Sequence, residues 1–309
     1  MKTFKILKII AFFVAVVTIF FATACKKDRL NKSGDGSTME QLAKDANDVQ
    51  SSTDDAMNDA NSVLSIGIQK STLGLPCNAT IDSTAIVNDT ITYFITYNGA
   101  NCNGSRIRSG QVEIKKKANT HWHDAGAMVM VTFKNLTITR VATNKSLTLN
   151  GTRTFTNVSG GILLDLGNGM SSIVHMVTGS LTATFDNGTT RIWNISRQRT
   201  YTGTPGQLVL TVDGLGSAAN YPNLVVWGIN RHGEDFFTQI TQSIVYKEIC
   251  GWEPVSGIMV HQIPGNNKMA TITFGYDTAN LPVSSGDCPT KFKIDWQNNG
   301  NSGTVYMYL

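Results

Sequence analysis

The chain has 309 residues, of which 41% are hydrophobic and only 16% charged, with a formal net charge of +4. Three of those positive charges, Lys2, Lys5 and Lys8, sit in the first eight residues; without them the balance is +1, which excludes strong electrostatic attraction to nucleic acid. Low charge with 28 glycines and abundant threonine argues against a cytosolic helical enzyme and for an exported, β-rich chain.

In chain order, the three lysines are followed by an apolar stretch of about 14 residues, Ile9 to Ala22. That length suits a secretory leader and falls short of the roughly 20 residues that span a bilayer. The stretch closes on Ala22-Thr23-Ala24 directly before Cys25. The sequence ATAC resembles the lipobox of bacterial lipoproteins, which implies that Cys25 is acylated and becomes the mature N-terminus, a multi-chain anchor that holds stably to a membrane. Lys26-Lys27-Asp28 resembles the charged residues that follow the acylated cysteine in surface-directed lipoproteins of the Bacteroidota. The expected division is a leader over 1–24, an acylated cysteine and flexible polar tether over 25–37, a helix over 38–66 and a β domain over 67–309.

Met39, Leu42, Ala46, Val49, Thr53, Met57, Ala60 and Leu64 recur at spacings of three and four, the period of one helix face. Ser37 with Glu40 fits a capping box at its start. The opposite face carries Glu40, Asp45, Asp48, Asp54, Asp55 and Asp59, and SSTDD could split the helix in two. Such a stripe predicts a helix docked on its own domain.

Beyond the helix, runs such as TITYFITY, AMVMVTF, SLTATF, TRIWNISRQRTYT, FFTQITQSIVY and KFKIDW alternate apolar with polar residues, punctuated by Gly, Asn and Asp. Closely spaced strands with short turns predict an all-β fold class: a large antiparallel meander (rolled sheet, sandwich or barrel-like) with one N-terminal amphipathic helix. An outer-membrane barrel is disfavoured despite the aromatic end, Tyr306 to Leu309, because arginines and lysines interrupt the strands. Four cysteines remain, Cys77, Cys102, Cys250 and Cys288. Local pairing, Cys77 with Cys102 and Cys250 with Cys288, gives two similar stapled hairpins. No C-x-x-C pair supports zinc.

Among candidate sites, one strand stands out, because Arg191, Trp193, Ile195, Arg197, Arg199 and Tyr201 all project to one face. Arg106, Arg108, Arg153 and Phe155 repeat the combination. Arginines with aromatics could grip an anionic glycan; alternatively these arginines pair with the acidic helix or with neighbouring strands. His232, Glu234 and Asp235 suggest acid–base chemistry, against which stands a two-residue turn at His232-Gly233 with solvated charges. His121 and His123 could share a strand face, but two ligands do not make a metal site, and HDAG reads as an exposed turn. His175 and His261 stand singly in strands. Asp82-Ser83-Thr84, Asp89-Thr90-Ile91 and Asp277-Thr278-Ala279 resemble a short O-glycosylation signal of exported Bacteroidota proteins.

At NGANCNGSRIRSGQVEI, LNGTRTFTN, DNGTTRIWNISRQRT and GINRHGEDFFTQIT the chain resembles a family of uncharacterised Bacteroidota outer-membrane and surface lipoproteins. The resemblance implies an acylated cysteine, an acidic helix and Thr-rich strands, and it brings no activity. ANTHWHDAG departs from the arginine and aromatic hairpin tip that the resemblance implies.

The expected function is therefore a lipid-anchored, non-catalytic binding or structural module of the cell envelope, facing the surface or the periplasm. Its expected partners are the membrane and a glycan or envelope protein, with no nucleic acid, cofactor or metal. The alternatives are a glycan hydrolase using Glu234 or Asp235, and a periplasmic carrier of acyl chains in a concave apolar face.

Overall fold

The computed structural model describes residues 36–66, 76–102, 104–284 and 286–309. The expected leader, Cys25 and the tether lie outside the described residues, as do the side chains of Ser37 and Glu40. One helix, α1 (Gly36–Ile66), precedes fifteen strands. These are β1 (Ala79–Ser83), β2 (Thr90–Ala100), β3 (Arg106–Lys117), β4 (Ala127–Arg140), β5 (Lys145–Asn157), β6 (Ser172–Phe185), β7 (Thr190–Thr202), β8 (Val209–Gly214), β9 (Gly216–Ala218), β10 (Tyr221–Ile229), β11 (Asp235–Lys247), β12 (Glu253–Ile263), β13 (Lys268–Tyr276), β14 (Lys291–Asn298) and β15 (Asn301–Tyr308). The described residues are all-β with a single α-helix.

The strands form one antiparallel sheet ordered almost as the chain runs, β1 to β7, then β10 to β15. The exception is a shared lane: β10 pairs with the first half of β7 and the first half of β11, while β8 pairs with their second halves. β1 and β15 lie at opposite ends of the order, so the sheet is rolled and open.

What it rolls around is α1. Of its described side chains between 41 and 64, only Lys44 and Asn58 are exposed. The helix touches β3 and β4 on one side and β13 and β14 on the other. Leu42, Val49, Met57, Ala60 and Val63 complete the core begun by inward residues of the strands, such as Val131, Phe133, Leu149, Val177 and Ile272. SSTDD does not break the helix, because the Thr53 hydroxyl donates back to the carbonyls of Val49 and Gln50 at 2.8 and 2.9 Å, satisfying itself without competing for a turn.

Threonine is frequent on the outer face. Hydroxyls bond across strands at Thr132–Thr152 (2.9 Å), Thr137–Thr148 (2.8 Å) and Thr139–Ser146 (2.7 Å), cross-strand pairs that β-branched side chains support on a pleated surface.

The roll needs local kinks, and two glycines show why. Gly110 in β3 has φ +98°, and a Cβ there would lie 2.2 Å from the Asn135 carbonyl oxygen of the bulged β4. Gly179 in β6 has φ +138°, and a Cβ there would lie 2.4 Å from the Thr152 carbonyl oxygen. Backbone approaches this close admit no side chain.

The disulfides follow the local pairing, Cys77–Cys102 and Cys250–Cys288. Their placements differ from the expected pair of similar stapled hairpins. Cys77 and Cys102 close the open end of the β1–β2 hairpin, whereas Cys250 and Cys288 link the β11–β12 connection to the loop before β14.

Gly179→Ala should lower stability by at least about 2 kcal/mol, since it forces both strain and a clash; an unchanged urea midpoint would show that the kink is dispensable.

Candidate functional site

β7 alternates without interruption: Arg191, Trp193, Ile195, Arg197, Arg199 and Tyr201 are all buried, and the residues between them are not. The inward face of a sheet is set by period two, so the strand that sequence singles out does present one arginine and aromatic face. That face looks at α1. With Arg106 and Arg108 of β3, Arg140 of β4, Arg153 of β5 and Arg231 after β10, eight guanidiniums point toward the helix.

Five of them meet aspartates of α1. Asp45 pairs with Arg231, whose Nε donates at 2.6 Å; Asp48 pairs with Arg140 at 2.5 Å; Asp59 pairs with Arg108 at 2.6 Å and also accepts the Tyr97 hydroxyl at 2.8 Å. Asp54 pairs with Arg197 and Asp55 with Arg106. These contacts run the length of the helix, so sliding it by one turn would break all five together.

The pairs differ in electrostatic quality. Burial raises the carboxyls of Asp48, Asp55 and Asp59 more than their arginines lower them. For Asp54 burial also acts upward, but Arg197 and Arg199 outweigh it and hold the carboxyl below its usual value. Desolvation can rival attraction in enclosed pairs, so the five contacts specify position and register more than they add stability.

The remaining three guanidiniums rest on rings. Arg191 lies over Trp193 (4.6 Å) and Phe236 (4.1 Å), Arg199 over Tyr201 (5.4 Å) and Arg153 over Phe133 (6.0 Å). Arg191 also donates to the Leu42 carbonyl at 3.5 Å. Arg153 is fully buried, and its three nitrogens have no hydrogen-bond partner among the described residues. Burial, with the neighbouring charge of Arg197, lowers Arg153 to about 9, still charged at neutrality. A desolvated cation over a ring gains on the order of 2 kcal/mol, which explains why aromatics alternate with arginines in these strands.

Two histidines complete the interior. His175 sits among Trp122, Phe155 and Tyr201 at centroid distances of 5.3 to 5.6 Å. His261 meets the Thr238 hydroxyl at 2.6 Å. Burial first, and then Arg199 or Arg191, lowers both to about 3, so both are neutral.

Other candidate residues fall apart or come together differently. The His232 turn is a five-residue loop, Asn230 to Glu234, in which the Asn230 side chain accepts the backbone N–H of His232 and of Glu234. Partial burial acts to raise Glu234, but Asn230, Lys268 and Asn266 outweigh it and hold the carboxyl below its usual value. Asp235 is exposed at the start of β11. By contrast, His121, His123 and Asp124 gather at one turn. Sequence reading missed Arg231, which sits in a loop where no alternation marks it, and Arg140, which continues the inward alternation of Leu136 and Ile138 at the end of β4. It also missed Trp122, whose indole donates to Asn61 of α1 at 2.7 Å.

Compared with protein-family models, curated proteins and solved structures, the chain matches none. The arrangement itself is a dock for an acidic helix: its carboxylates are paired with arginines and its histidines are sealed.

Asp54→Ala should cost about 3 kcal/mol, because it strands a guanidinium that is only 2% exposed while Asp54 itself keeps some water contact. The Asp54→Leu/Arg197→Met pair should recover most of that loss in chemical denaturation.

The buried histidines set an acid dependence. Their folded values lie below the ordinary 6.5, so their contribution is present above pH 6.5 and is lost as pH falls toward 3, where the unfolded chain binds protons first. Asp54 acts in the same direction, its contribution being lost as pH falls through its lowered folded value. Asp48, Asp55 and Asp59, being raised, oppose this within the carboxylate range. His175→Phe should remove a slope that grows below pH 6.5 to about 1.4 kcal/mol per pH unit near pH 5, read from urea midpoints across pH.

Proposed function

We propose that this protein is a lipid-anchored, non-catalytic module of the bacterial outer membrane, of the kind its resemblance to Bacteroidota lipoproteins implies, with a binding or structural role at the cell surface. The observation that carries the non-catalytic reading is the occupation of the concave face by α1. Of the residues with a ligand-gripping pattern, Arg197 and Arg191 bond to the chain's own helix, and Trp193, Arg199 and Tyr201 are buried in the same interior. The ATAC sequence ending at Cys25 supports the anchor. Ten residues separate that cysteine from Gly36, so a fully extended connection reaches at most about 35–40 Å.

With the concave face filled, a glycan or protein partner is expected on the outer face. A depression of about 270 Å³ over β13 to β15 is lined by Thr271, Asp295, Gln297, Ser302 and Thr304, hydroxyl, amide and carboxylate groups suited to sugar hydroxyls. The hydrolase reading is weakened because Glu234 is held ionised, whereas a general acid needs a raised value. The acyl-carrier reading is weakened because the concave face carries guanidiniums and a helix.

Feeding cells an alkyne-tagged fatty acid should label the wild type, and Cys25→Ala should lose both the label and membrane association. A labelled Cys25→Ala protein would overturn the anchor assignment.

A further inference from the structure

Between β3 and β4 the chain turns through His121, Trp122, His123 and Asp124. Trp122 is buried, stacked on Phe155 at 5.8 Å and bonded to Asn61 of the helix. Its carbonyl accepts the Asn157 amide at 2.8 Å, and the His123 carbonyl accepts the Gly161 N–H at 2.7 Å. The turn is therefore held from inside, and the residues flanking the tryptophan are thrown outward on one side. There the two imidazoles stack, 5.2 Å apart and 18° from parallel.

From this juxtaposition we propose that His121, His123 and Asp124 form a binding site for a divalent transition-metal ion. His121 Nδ1 lies 3.7 Å from Asp124 Oδ2, and His123 Nε2 lies 3.3 Å from Asp124 Oδ1; all three donors fall within 4.8 Å of one another. Zinc bonds of about 2.0–2.2 Å at tetrahedral angles place ligand atoms about 3.3–3.5 Å apart. The His123 distance falls in that range, and the His121 distance, to the other carboxylate oxygen, lies slightly beyond it. The imidazoles, with side chains 70% and 63% exposed, rotate freely enough to close the remainder. Asp124 is itself oriented, because its Oδ2 accepts the His121 backbone N–H at 2.6 Å, the outer-shell support that fixes a ligating carboxylate. Lys116, whose ammonium donates to the Thr120 carbonyl at 2.7 Å, feels the charge of Asp124.

Two imidazoles and one carboxylate select zinc, copper(II) or nickel(II) over magnesium and calcium, and three protein donors leave positions for water. An ion here would tie together the turn that carries Trp122 onto the helix, so binding stabilises the folded state.

The test is calorimetric titration of purified mature protein, without a histidine tag, with zinc and with copper(II) at pH 7.5, using magnesium as the control. The expected result is one equivalent bound, no magnesium binding, and at least about tenfold weaker affinity in His121→Ala and in His123→Ala. Asp124→Asn, which keeps an acceptor for the turn, should weaken binding similarly. Zinc should raise the melting temperature of the wild type and leave that of the His121→Ala/His123→Ala protein unchanged. Both histidines are exposed, so circular dichroism of the variants should match the wild type. The proposal is overturned if the wild type shows no saturable binding up to millimolar metal, or if the double variant binds as well as the wild type.

Discussion

The constraint on which the rest of the structure depends is charge enclosed between a sheet and a helix. Eight guanidiniums on a concave face would be untenable without partners, since a buried unpaired charge costs several kcal/mol. Five aspartates of α1 and a set of aromatic rings supply them. The helix in turn could not be enclosed on both its faces unless its acidic side met fixed cations. Each element supplies what makes the other's burial tolerable, which is why the helix runs within the sheet rather than across its rim.

From that constraint the other features follow. A single meander wide enough to surround a helix must bend, and glycines such as Gly110 and Gly179 sit where strands approach too closely for a side chain. The face left outside has only its own cross-strand bonds to satisfy, and threonine does so while favouring extended backbone. The Cys77–Cys102 and Cys250–Cys288 bonds tie the first hairpin and the later strands at opposite ends of the sheet order.

Much of this is legible in the residues themselves. The period of two in TRIWNISRQRTYT places every arginine of β7 on one face, the spacing of Leu42, Val49, Met57 and Ala60 marks the helix, and the local cysteine pairing is the observed one. What periodicity does not encode is curvature. An amphipathic helix with Asp45, Asp48, Asp54, Asp55 and Asp59 opposite its apolar stripe reads as half solvated on a flat sheet, and only rolling turns that acidic face inward. Likewise Trp122 lies in HWHDAG, a stretch that reads as an exposed tip; its burial depends on Asn61 and Phe155, far apart in sequence. Arg231, in a loop, is invisible for the same reason.

The most direct test of the enclosed-helix account is native-state hydrogen exchange across α1, compared with β5 to β7. If the helix is held by the arginine face as an integral part of the fold, its central amides, from Val49 to Ala60, exchange only by global unfolding and share the protection and denaturant dependence of the Arg153 and Arg197 strands. Exchange of those helical amides through a low-energy opening, with the strands still protected, would show a lid resting on a self-sufficient sheet and would contradict the account.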